Sequence, residues 1–155
     1  DSVELVSASG ARRGAEVVAF RPDLDLAILA APNIGEAPLP LGTAEVGTTG
    51  IVVGYPGGGP VAVDPFRVDQ RIAALGTDIY GEVEIERTVL VMAADLSYGN
   101  SGGAVVNQNG QSVGVAFAIA PDRPGVSYAI PSSAYQPLLA DAGADPVSTG
   151  ACTSS

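Results

Sequence analysis

The chain has 155 residues with seven arginines, no lysine and 17 acidic residues, which gives a net charge of −10. This charge argues against binding nucleic acid through phosphate neutralisation, and the lack of histidine, with a single cysteine, argues against a metal site. No apolar run reaches the roughly 18 residues that a membrane-spanning helix needs, so the sequence predicts no cofactor, no metal and no membrane span in these residues.

The composition favours a single all-β domain. Twenty glycines, twelve prolines and short β-branched runs are typical of many strands joined by tight turns. There is no internal repeat and no linker long enough to separate two independent domains. Only residues 132–142 show a convincing helical period, with Ser132 or Ser133 expected as the N-cap and Gly143 just past the end.

The first part of the chain predicts a β-hairpin. Residues 1–6 form an apolar and polar alternation typical of a strand, residues 7–14 contain turn-forming residues, and residues 15–20 predict the returning strand. The chain therefore opens with two antiparallel strands.

A proline turn follows this hairpin and leads into another strand. Asp23 and Asp25 come directly after Pro22, and the apolar run 26–29 follows them. Taken from the residues alone, both carboxylates have a local role, because aspartate side chains accept hydrogen bonds from backbone N–H groups in turns.

The middle of the chain predicts three more strands. Residues 51–60 run from a buried strand into a glycine-rich loop, which lacks the Lys-Ser/Thr ending of a phosphate-binding loop. Residues 66–75 and 81–87 alternate between apolar and polar positions, so Val83 and Ile85 are expected to face inward. The intervening glutamates are expected on a solvated face: Glu82, Glu84 and Glu86.

The segment 99–103, Gly-Asn-Ser-Gly-Gly, lies between the apolar runs 89–94 and 104–106 and predicts a tight loop between two strands. Glycines on both sides of Ser101 permit positive φ and allow backbone N–H groups to approach a reacting atom, as an oxyanion hole requires. The N–H groups of Gly99 and Ser101 are the expected donors. Without its context, the same pentapeptide is simply a flexible turn.

A hairpin turn at residues 107–110 follows this loop and leads into the strand 112–117. Loop, hairpin and returning strand, in this order, resemble the nucleophile region of the chymotrypsin-like serine proteases, in particular the bacterial branch with the HtrA-like and MarP-like enzymes. The resemblance implies a double antiparallel β-barrel with a short C-terminal helix, and Ser101 as nucleophile. Asn100 departs from the aspartate that receives a new N-terminus in many relatives, which argues against that zymogen switch.

A serine nucleophile needs a base, normally a histidine oriented by a carboxylate, and this chain contains no histidine. The resemblance places the histidine in a short segment just before the first hairpin, so we expect the chain to begin directly downstream of the missing base. The expected organisation is an incomplete first barrel at 1–45, a second barrel at 46–131, a helix at 132–143 and a tail at 144–155.

The resemblance assigns the orienting carboxylate to Asp25, which directly precedes the apolar run 26–29. In that role it accepts a hydrogen bond from the imidazole and stabilises the imidazolium formed during attack. Asp23 is then the turn residue. The purely local role of Asp25 remains the alternative.

The substrate pocket is expected next to the nucleophile. Asp95 stands six residues before Ser101, where trypsin-like enzymes hold the carboxylate that binds a basic P1 side chain, although HtrA-like relatives build this pocket differently. Two strands are expected to supply the walls: Val115, Ala116, Phe117, Ser127 and Tyr128. Phe117 and Tyr128 have the alternative role of ordinary core aromatics.

The tail at 149–152, Thr-Gly-Ala-Cys, is similar to that of MarP-like proteases, whose C-terminal cysteine pairs with one upstream of the histidine. The resemblance implies that Cys152 forms a disulfide with a partner upstream of this chain, in an oxidising periplasmic or extracellular compartment. Any membrane anchor is expected upstream. A free thiol near the chain end is the alternative.

Two functions follow from these patterns. The first is a serine endopeptidase that acts on protein or peptide substrates through an acyl-enzyme. We expect these 155 residues to be inactive alone, because they lack the base. The second is a non-catalytic relative whose cleft binds extended peptides or a partner protein. A histidine encoded upstream of Asp1 distinguishes the first from the second.

Overall fold

A computed structural model describes residues 2–7 and 9–150 of the chain. Short β-branched runs separated by glycine and proline turns form strands, as their composition favours. In these residues the elements, in chain order, are β1 (Ser2–Val6), β2 (Arg12–Arg21), β3 (Leu26–Ala30), β4 (Thr49–Gly54), β5 (Ala62–Thr77), β6 (Glu84–Ala93), β7 (Ala104–Asn107), β8 (Ser112–Ile119), β9 (Val126–Pro131) and α1 (Ser132–Asp141).

The first three strands form an antiparallel sheet in the order β1-β2-β3. β2 holds the sheet together because it pairs with both neighbours, with Val3 opposite Ala15 and Val17 opposite Leu29. A register shift after Val17 bends β2 toward its end. This sheet carries the turn between β2 and β3, where Asp25 lies.

The remaining strands close into a six-stranded barrel in the order β4-β5-β6-β9-β8-β7. Closure pairs every strand on both sides and leaves no free edge. Alternating residues point inward and form a dense apolar core. Its most deeply buried side chains, each no more than 1% exposed, include Val52, Val68, Leu90, Met92, Val105 and Val113.

The β5–β6 hairpin extends well beyond the barrel. β4 pairs only with residues 62–67 of β5, and β9 pairs only with residues 90–93 of β6, so the outer part of the hairpin has no further strand partner. Its tip reaches back to the first sheet, where the N–H of Ile79 donates to the carbonyl of Pro22 at 3.3 Å. The hairpin therefore links the barrel to the turn that bears Asp25.

The position of Val83 corrects one expectation. Val83 was expected to face inward, but it lies at the tip of the hairpin and is 56% exposed, because the barrel does not extend over this region. The alternation itself is present, and the three glutamates of this segment are exposed as expected.

The helix packs against the barrel beside β8 and β9. Its N-cap is Pro131, so neither Ser132 nor Ser133 is the N-cap. Ser132 is instead the first helical residue, and its hydroxyl donates to the carbonyl of Gly42 at 2.5 Å. The buried hydroxyls of Tyr135 and Ser112 share a hydrogen bond of 3.0 Å, which fixes the helix on β8.

The expected all-β architecture with one short C-terminal helix is confirmed. Over residues 2–7 and 9–150, no helix has both the length and the apolar character required to cross a bilayer. The same part of the chain contains no group of three or more His, Cys, Asp or Glu side chains arranged to hold a metal ion.

Candidate active site

The loop that carries Ser101 is fastened to β8 by its backbone. The N–H of Gly102 donates to the carbonyl of Ala116 at 2.8 Å, and the N–H of Ala116 donates to the carbonyl of Gly103 at 2.9 Å. The exposed Ser101 hydroxyl donates to the carbonyl of Phe117 at 3.2 Å. These bonds hold the serine at the protein surface with its oxygen directed along β8.

A short 3-10 turn at Pro56–Gly58 fixes the orientation of the peptide group between Tyr98 and Gly99. The N–H of Gly57 donates to the carbonyl of Tyr98 at 2.7 Å. Because this carbonyl and the N–H of Gly99 belong to one peptide group, the bond also fixes the direction of that N–H. Neither this N–H nor that of Ser101 has an acceptor in the described part of the chain, so both remain available as oxyanion donors.

Only glycine fits at position 99. Its φ is +99°, and a Cβ there would lie 2.5 Å from the nitrogen of Gly57 and 2.6 Å from the carbonyl oxygen of Tyr55. Both the backbone conformation and the close approach of the 3-10 turn therefore require the residue that the sequence supplies.

The side chain of Asn100 is buried and holds the loop that carries Ser101. It is 2% exposed, and its amide nitrogen donates to a carboxylate oxygen of Asp64 at 3.3 Å. Its amide oxygen is buried without a partner among the residues that are described. The side chain therefore supports the loop that carries Ser101.

Ser101 and Asp25 line the same cavity, which has a volume of about 590 Å³ and lies between the first sheet and the barrel. The cavity is mostly apolar and is open on one side. Its walls come from β3, β8 and the helix: Leu26, Ala27, Ile28, Leu29, Val115, Ala116, Phe117, Tyr135 and Leu139, with Gly102 beside the serine. The fold therefore brings together two residues that are 76 positions apart in the sequence.

Asp25 has an unusual backbone conformation. Its φ is +57°, a region that few residues other than glycine adopt, although aspartate and asparagine are enriched there. Partial burial raises the pKa of the Asp25 carboxyl, and the positive charge of Arg87 opposes this shift. Strained conformations of this kind are concentrated at functional sites.

Asp23 differs from Asp25 in its partner. Arg21 donates two hydrogen bonds to the Asp23 carboxylate, at 2.8 and 2.5 Å, and these bonds lower its pKa. Asp23 is absent from the cavity that contains Ser101. Its contacts fit the turn role that the sequence predicts for it.

The structure does not support a carboxylate at the base of the primary pocket. A second, very small cavity of about 10 Å³ adjoins Ser101, and Leu96 rather than Asp95 lines it. Leu96 is buried in the barrel core, whereas Asp95 is exposed to solvent. The other residues lining this cavity are Ser97, Asn100, Ala116, Phe117, Ala118 and Ile119.

The five expected wall residues fall into two groups. Val115, Ala116 and Phe117 line the larger cavity, whereas Ser127 and Tyr128 line neither cavity. The buried Ser127 hydroxyl donates to the carbonyl of Ala94 at 2.8 Å. Tyr128 packs its ring against Phe117 with a centroid separation of 6.5 Å, which is the core role left open as an alternative.

The sequence analysis missed Leu96, Gly57 and Arg87. The apolar Leu96 beside Asp95 was a usable signal, since only one of two adjacent strand-like residues can face the core. No sequence signal identifies Gly57 or Arg87, because each acts through a contact with a residue distant in the chain.

The C-terminal tail returns to the first sheet. The N–H of Val147 donates to the carbonyl of Val17 at 2.8 Å, and the hydroxyl of Tyr80 donates to the carbonyl of Thr149 at 3.2 Å. The tail thus joins β2 to the tip of the β5–β6 hairpin. Cys152, for which a disulfide was expected, lies outside the described residues.

Comparison with known proteins adds three findings. The family model of the trypsin-like peptidase domain matches residues 1–115. The serine protease Rv3671c of Mycobacterium tuberculosis is 40% identical over 144 residues, which are 90% of this chain but only 36% of that protein. The chain therefore spans little more than a third of this curated relative.

Solved structures agree with these matches. The active form of the Rv3671c protease superposes with a TM-score of 0.92 at 35% identity, covering 99% of this chain and 69% of that one. Its inactive form gives a TM-score of 0.80 at 34% identity, covering 93% and 74%. The HtrA-type protease AlgW with tripeptide shares the fold, with a TM-score of 0.77 at 24% identity over 90% and 47%.

Proposed function

Because the chain belongs to the trypsin-like peptidase family, we propose that it forms the nucleophile-bearing part of a serine endopeptidase that cleaves protein or peptide substrates. The observation that carries this proposal is the shared cavity of Ser101 and Asp25. Two residues of the expected chemical types, from loops of the first sheet and of the barrel, line one cavity, and the loop of Ser101 has two N–H groups without an acceptor among the described residues.

The proposed chemistry is acyl transfer. The Ser101 hydroxyl gives its proton to an imidazole base and attacks the substrate carbonyl, the peptide C–N bond breaks, and the amine leaves with that proton. Water then hydrolyses the acyl-enzyme and releases the carboxylic acid and the free serine. The N–H groups of Gly99 and Ser101 stabilise the negative oxygen of each tetrahedral intermediate. Asp25 orients an imidazole through its ring N–H and stabilises the imidazolium.

The imidazole must come from outside these 155 residues, because the chain has no histidine. We propose that a histidine-bearing segment of a longer polypeptide, encoded before Asp1, enters the 590 Å³ cavity between Asp25 and Ser101. The greater length of the curated relative supports this proposal. Without that segment we expect only the residual effect of substrate binding and oxyanion stabilisation, roughly 10³- to 10⁴-fold over water.

The site favours an extended peptide with a small apolar P1 residue. The cavity beside Ser101 is small and lined largely by apolar side chains, with no carboxylate among them. The HtrA-type relative was solved with a tripeptide, which is consistent with a peptide as substrate. Periplasmic or extracellular placement, a disulfide to Cys152 and an upstream membrane anchor belong to the same proposal.

A fluorophosphonate probe tests the proposal, because it reacts only with an activated serine. The longer polypeptide should be labelled, whereas its Ser101→Ala variant and the present 155-residue chain should not. Labelling that persists in the Ser101→Ala variant would assign the reactive group elsewhere. Absence of labelling in every form, or absence of a histidine before Asp1, would favour the peptide-binding module instead.

A further inference from the structure

Arg87 is a charged residue that the proposed chemistry does not use, yet it lies against the candidate site. Exposed and better-buried residues alternate along β6. Glu86 and Thr88 are exposed, whereas Ile85, Arg87 and Val89 are better buried. Arg87 therefore points toward the apolar side of its strand, where an arginine is costly unless it is held by partners.

The guanidinium of Arg87 is held by two contacts. Its Nη2 donates to the backbone carbonyl of Thr77 at 3.2 Å, and its Cζ lies 5.1 Å from the centroid of the Phe117 ring. This is a cation–π distance, and the interaction strengthens when the cation is desolvated. The Nη1 atom is fully buried and has no acceptor among the described residues, so the positive charge is only partly satisfied locally.

Phe117 connects Arg87 to both candidate catalytic residues. The carbonyl of Phe117 accepts the hydrogen bond of Ser101 at 3.2 Å, and its side chain lines the cavity that also contains Asp25. Leu26, the residue after Asp25, packs in the same apolar cluster as Phe117. Phe117 therefore links the guanidinium of Arg87 to the cavity that Ser101 and Asp25 share.

Arg87 is also the positive charge that acts on Asp25. The other nearby cation, Arg21 at the end of β2, is paired with Asp23, which lies in the same turn as Asp25. Tyr135 faces the cavity from the helix, and burial raises the pKa of its hydroxyl, so it stays neutral. The positive charge of Arg87 opposes the rise in the Asp25 pKa that burial causes.

We propose that Arg87 is a positioning residue of the protease site, which holds the ring of Phe117, a residue that lines the cavity shared by Ser101 and Asp25. Its positive charge also acts on the Asp25 carboxylate. The role assigned to the carboxylate rests on the proposed function, whereas the contact between Arg87 and Phe117 does not. In this arrangement the β5–β6 hairpin supports the site twice, through Arg87 and through the bond from Ile79 to Pro22.

Carboxylate NMR titration of the 155-residue chain tests the electrostatic part directly. In Arg87→Gln the titration midpoint of Asp25 should rise, because a carboxylate loses a favourable charge. Arg87→Lys should keep the midpoint near that of the wild type. Arg71→Gln is the matched control: Arg71 lies on the same hairpin, donates to Ser133 at 3.1 Å and should not affect Asp25. An unchanged midpoint in Arg87→Gln, or an equal rise in the control, overturns the proposal.

Kinetics of the longer polypeptide test the positioning part. Arg87→Gln should lower kcat by roughly 10- to 100-fold with little change in KM, since small displacements of reacting groups cost that much. Arg87→Lys should recover part of the loss. An equal change in kcat and KM, with no recovery by lysine, would indicate a merely structural role. If fluorophosphonate labels no form, the proposed function fails while the NMR result still decides the interaction.

A second variant tests the proposal if Arg87→Gln does not fold. Phe117→Leu removes the ring beneath the guanidinium and keeps the arginine. The side-chain N–H signals of Arg87, expected to exchange slowly in the wild type, should then exchange quickly, and the Asp25 midpoint should rise. If both stay unchanged, Phe117 does not hold Arg87 and the inference is wrong.

Discussion

At the scale of single residues, the candidate site depends on two backbone conformations that few side chains tolerate. Gly99 at φ +99° faces the 3-10 turn, and Asp25 at φ +57° opens β3. Gly99 carries an N–H group without an acceptor among the described residues, and Asp25 carries a carboxylate and lines the cavity. Substitution of Gly99 changes the shape of the backbone, whereas substitution of Asp25 changes a charge. The two effects can therefore be measured separately.

Gly99→Ala should disable the proposed oxyanion hole. The new Cβ would lie 2.5 Å from the nitrogen of Gly57, so the peptide that carries one donor must move. In the longer polypeptide kcat should fall by about 10²- to 10³-fold, the usual effect of losing one such donor. Gly110→Ala is the control, because it has a similar φ of +73° with open space around it and lies in a remote hairpin turn. Steady-state kinetics of both variants give the comparison, and equal losses would contradict the prediction.

Asp25→Asn should increase stability at neutral pH only slightly, because Asp25 is partly exposed and solvent screens its charge. Burial raises the folded-state pKa of Asp25, so the folded protein binds this proton more tightly than the unfolded chain. Stability from this group is then lost as pH rises from the unfolded pKa through the folded one. Asparagine accepts positive φ and removes that loss. Urea unfolding at pH 3 and pH 7 measures the change.

Asp23→Asn should act in the opposite direction. Arg21 lowers the folded-state pKa of Asp23, so its contribution is present above the unfolded pKa and disappears as pH falls through the folded one. The pair is largely exposed, so the effect at neutral pH should be small. Aspartate variants that shift stability in the same direction would contradict both assignments.

The P1 preference also belongs to this scale. Peptides with alanine at P1 should be cleaved faster than their arginine analogues, because the cavity beside Ser101 is very small and has Leu96 and no carboxylate in its lining. Asp95→Asn should leave this order unchanged, since Asp95 faces solvent. If cleavage after arginine is faster and Asp95→Asn reduces it, Asp95 binds the P1 side chain, as the sequence suggested.

At the scale of elements, the β5–β6 hairpin has two different environments along its length. Its inner part is a barrel wall, with Leu90 fully buried, whereas its outer part projects, with Leu75 71% exposed. The same apolar alternation therefore stabilises the core at one end and reaches the first sheet at the other. The exposure of Val83 follows from this change of environment.

Leucine truncation along the hairpin should reveal this difference. Leu90→Ala should lower the free energy of unfolding by about 2–5 kcal/mol, as deletion of a buried leucine does. Leu75→Ala should change it by less than about 0.5 kcal/mol, the usual range for exposed positions. Urea denaturation of the two variants measures both changes in the free energy of unfolding. Similar losses at both positions would mean that other residues cover the outer part of the hairpin.

At the scale of the whole molecule, a closed barrel and an open sheet meet at the candidate site. The barrel pairs all its strands on both sides, but β1 and β3 each pair with β2 alone among the described strands. Local openings cost least where backbone hydrogen bonds have few buried contacts above them. We expect amide hydrogens of β7 and β8 to exchange more slowly than those of β1 and β3. Faster exchange in the barrel would show that the first sheet is not the less stable unit.

The fold class and the family were predictable from the residues, and both are confirmed. Glycine and proline spacing reports turns, and the order of loop, hairpin and strand around Ser101 is specific to one protein family. The helix was found, but its N-cap was not: Pro131 is the N-cap, and the Ser132 hydroxyl donates to Gly42, a residue 90 positions away. The site assignments remain proposals, and the residues that support them, Gly57 and Arg87, carry no local signal.

The sequence by itself determined the secondary structure pattern, the glycine at position 99 and the lack of an internal base, because each depends on residue type or short spacing. Only the tertiary structure decided that Ser101 and Asp25 share a cavity, that Leu96 rather than Asp95 lines the small cavity beside Ser101, and that Arg87 rests on Phe117. The physical reason is that these relations arise from packing two sheets together, and residues far apart in a chain become neighbours only when both sheets have closed around their cores.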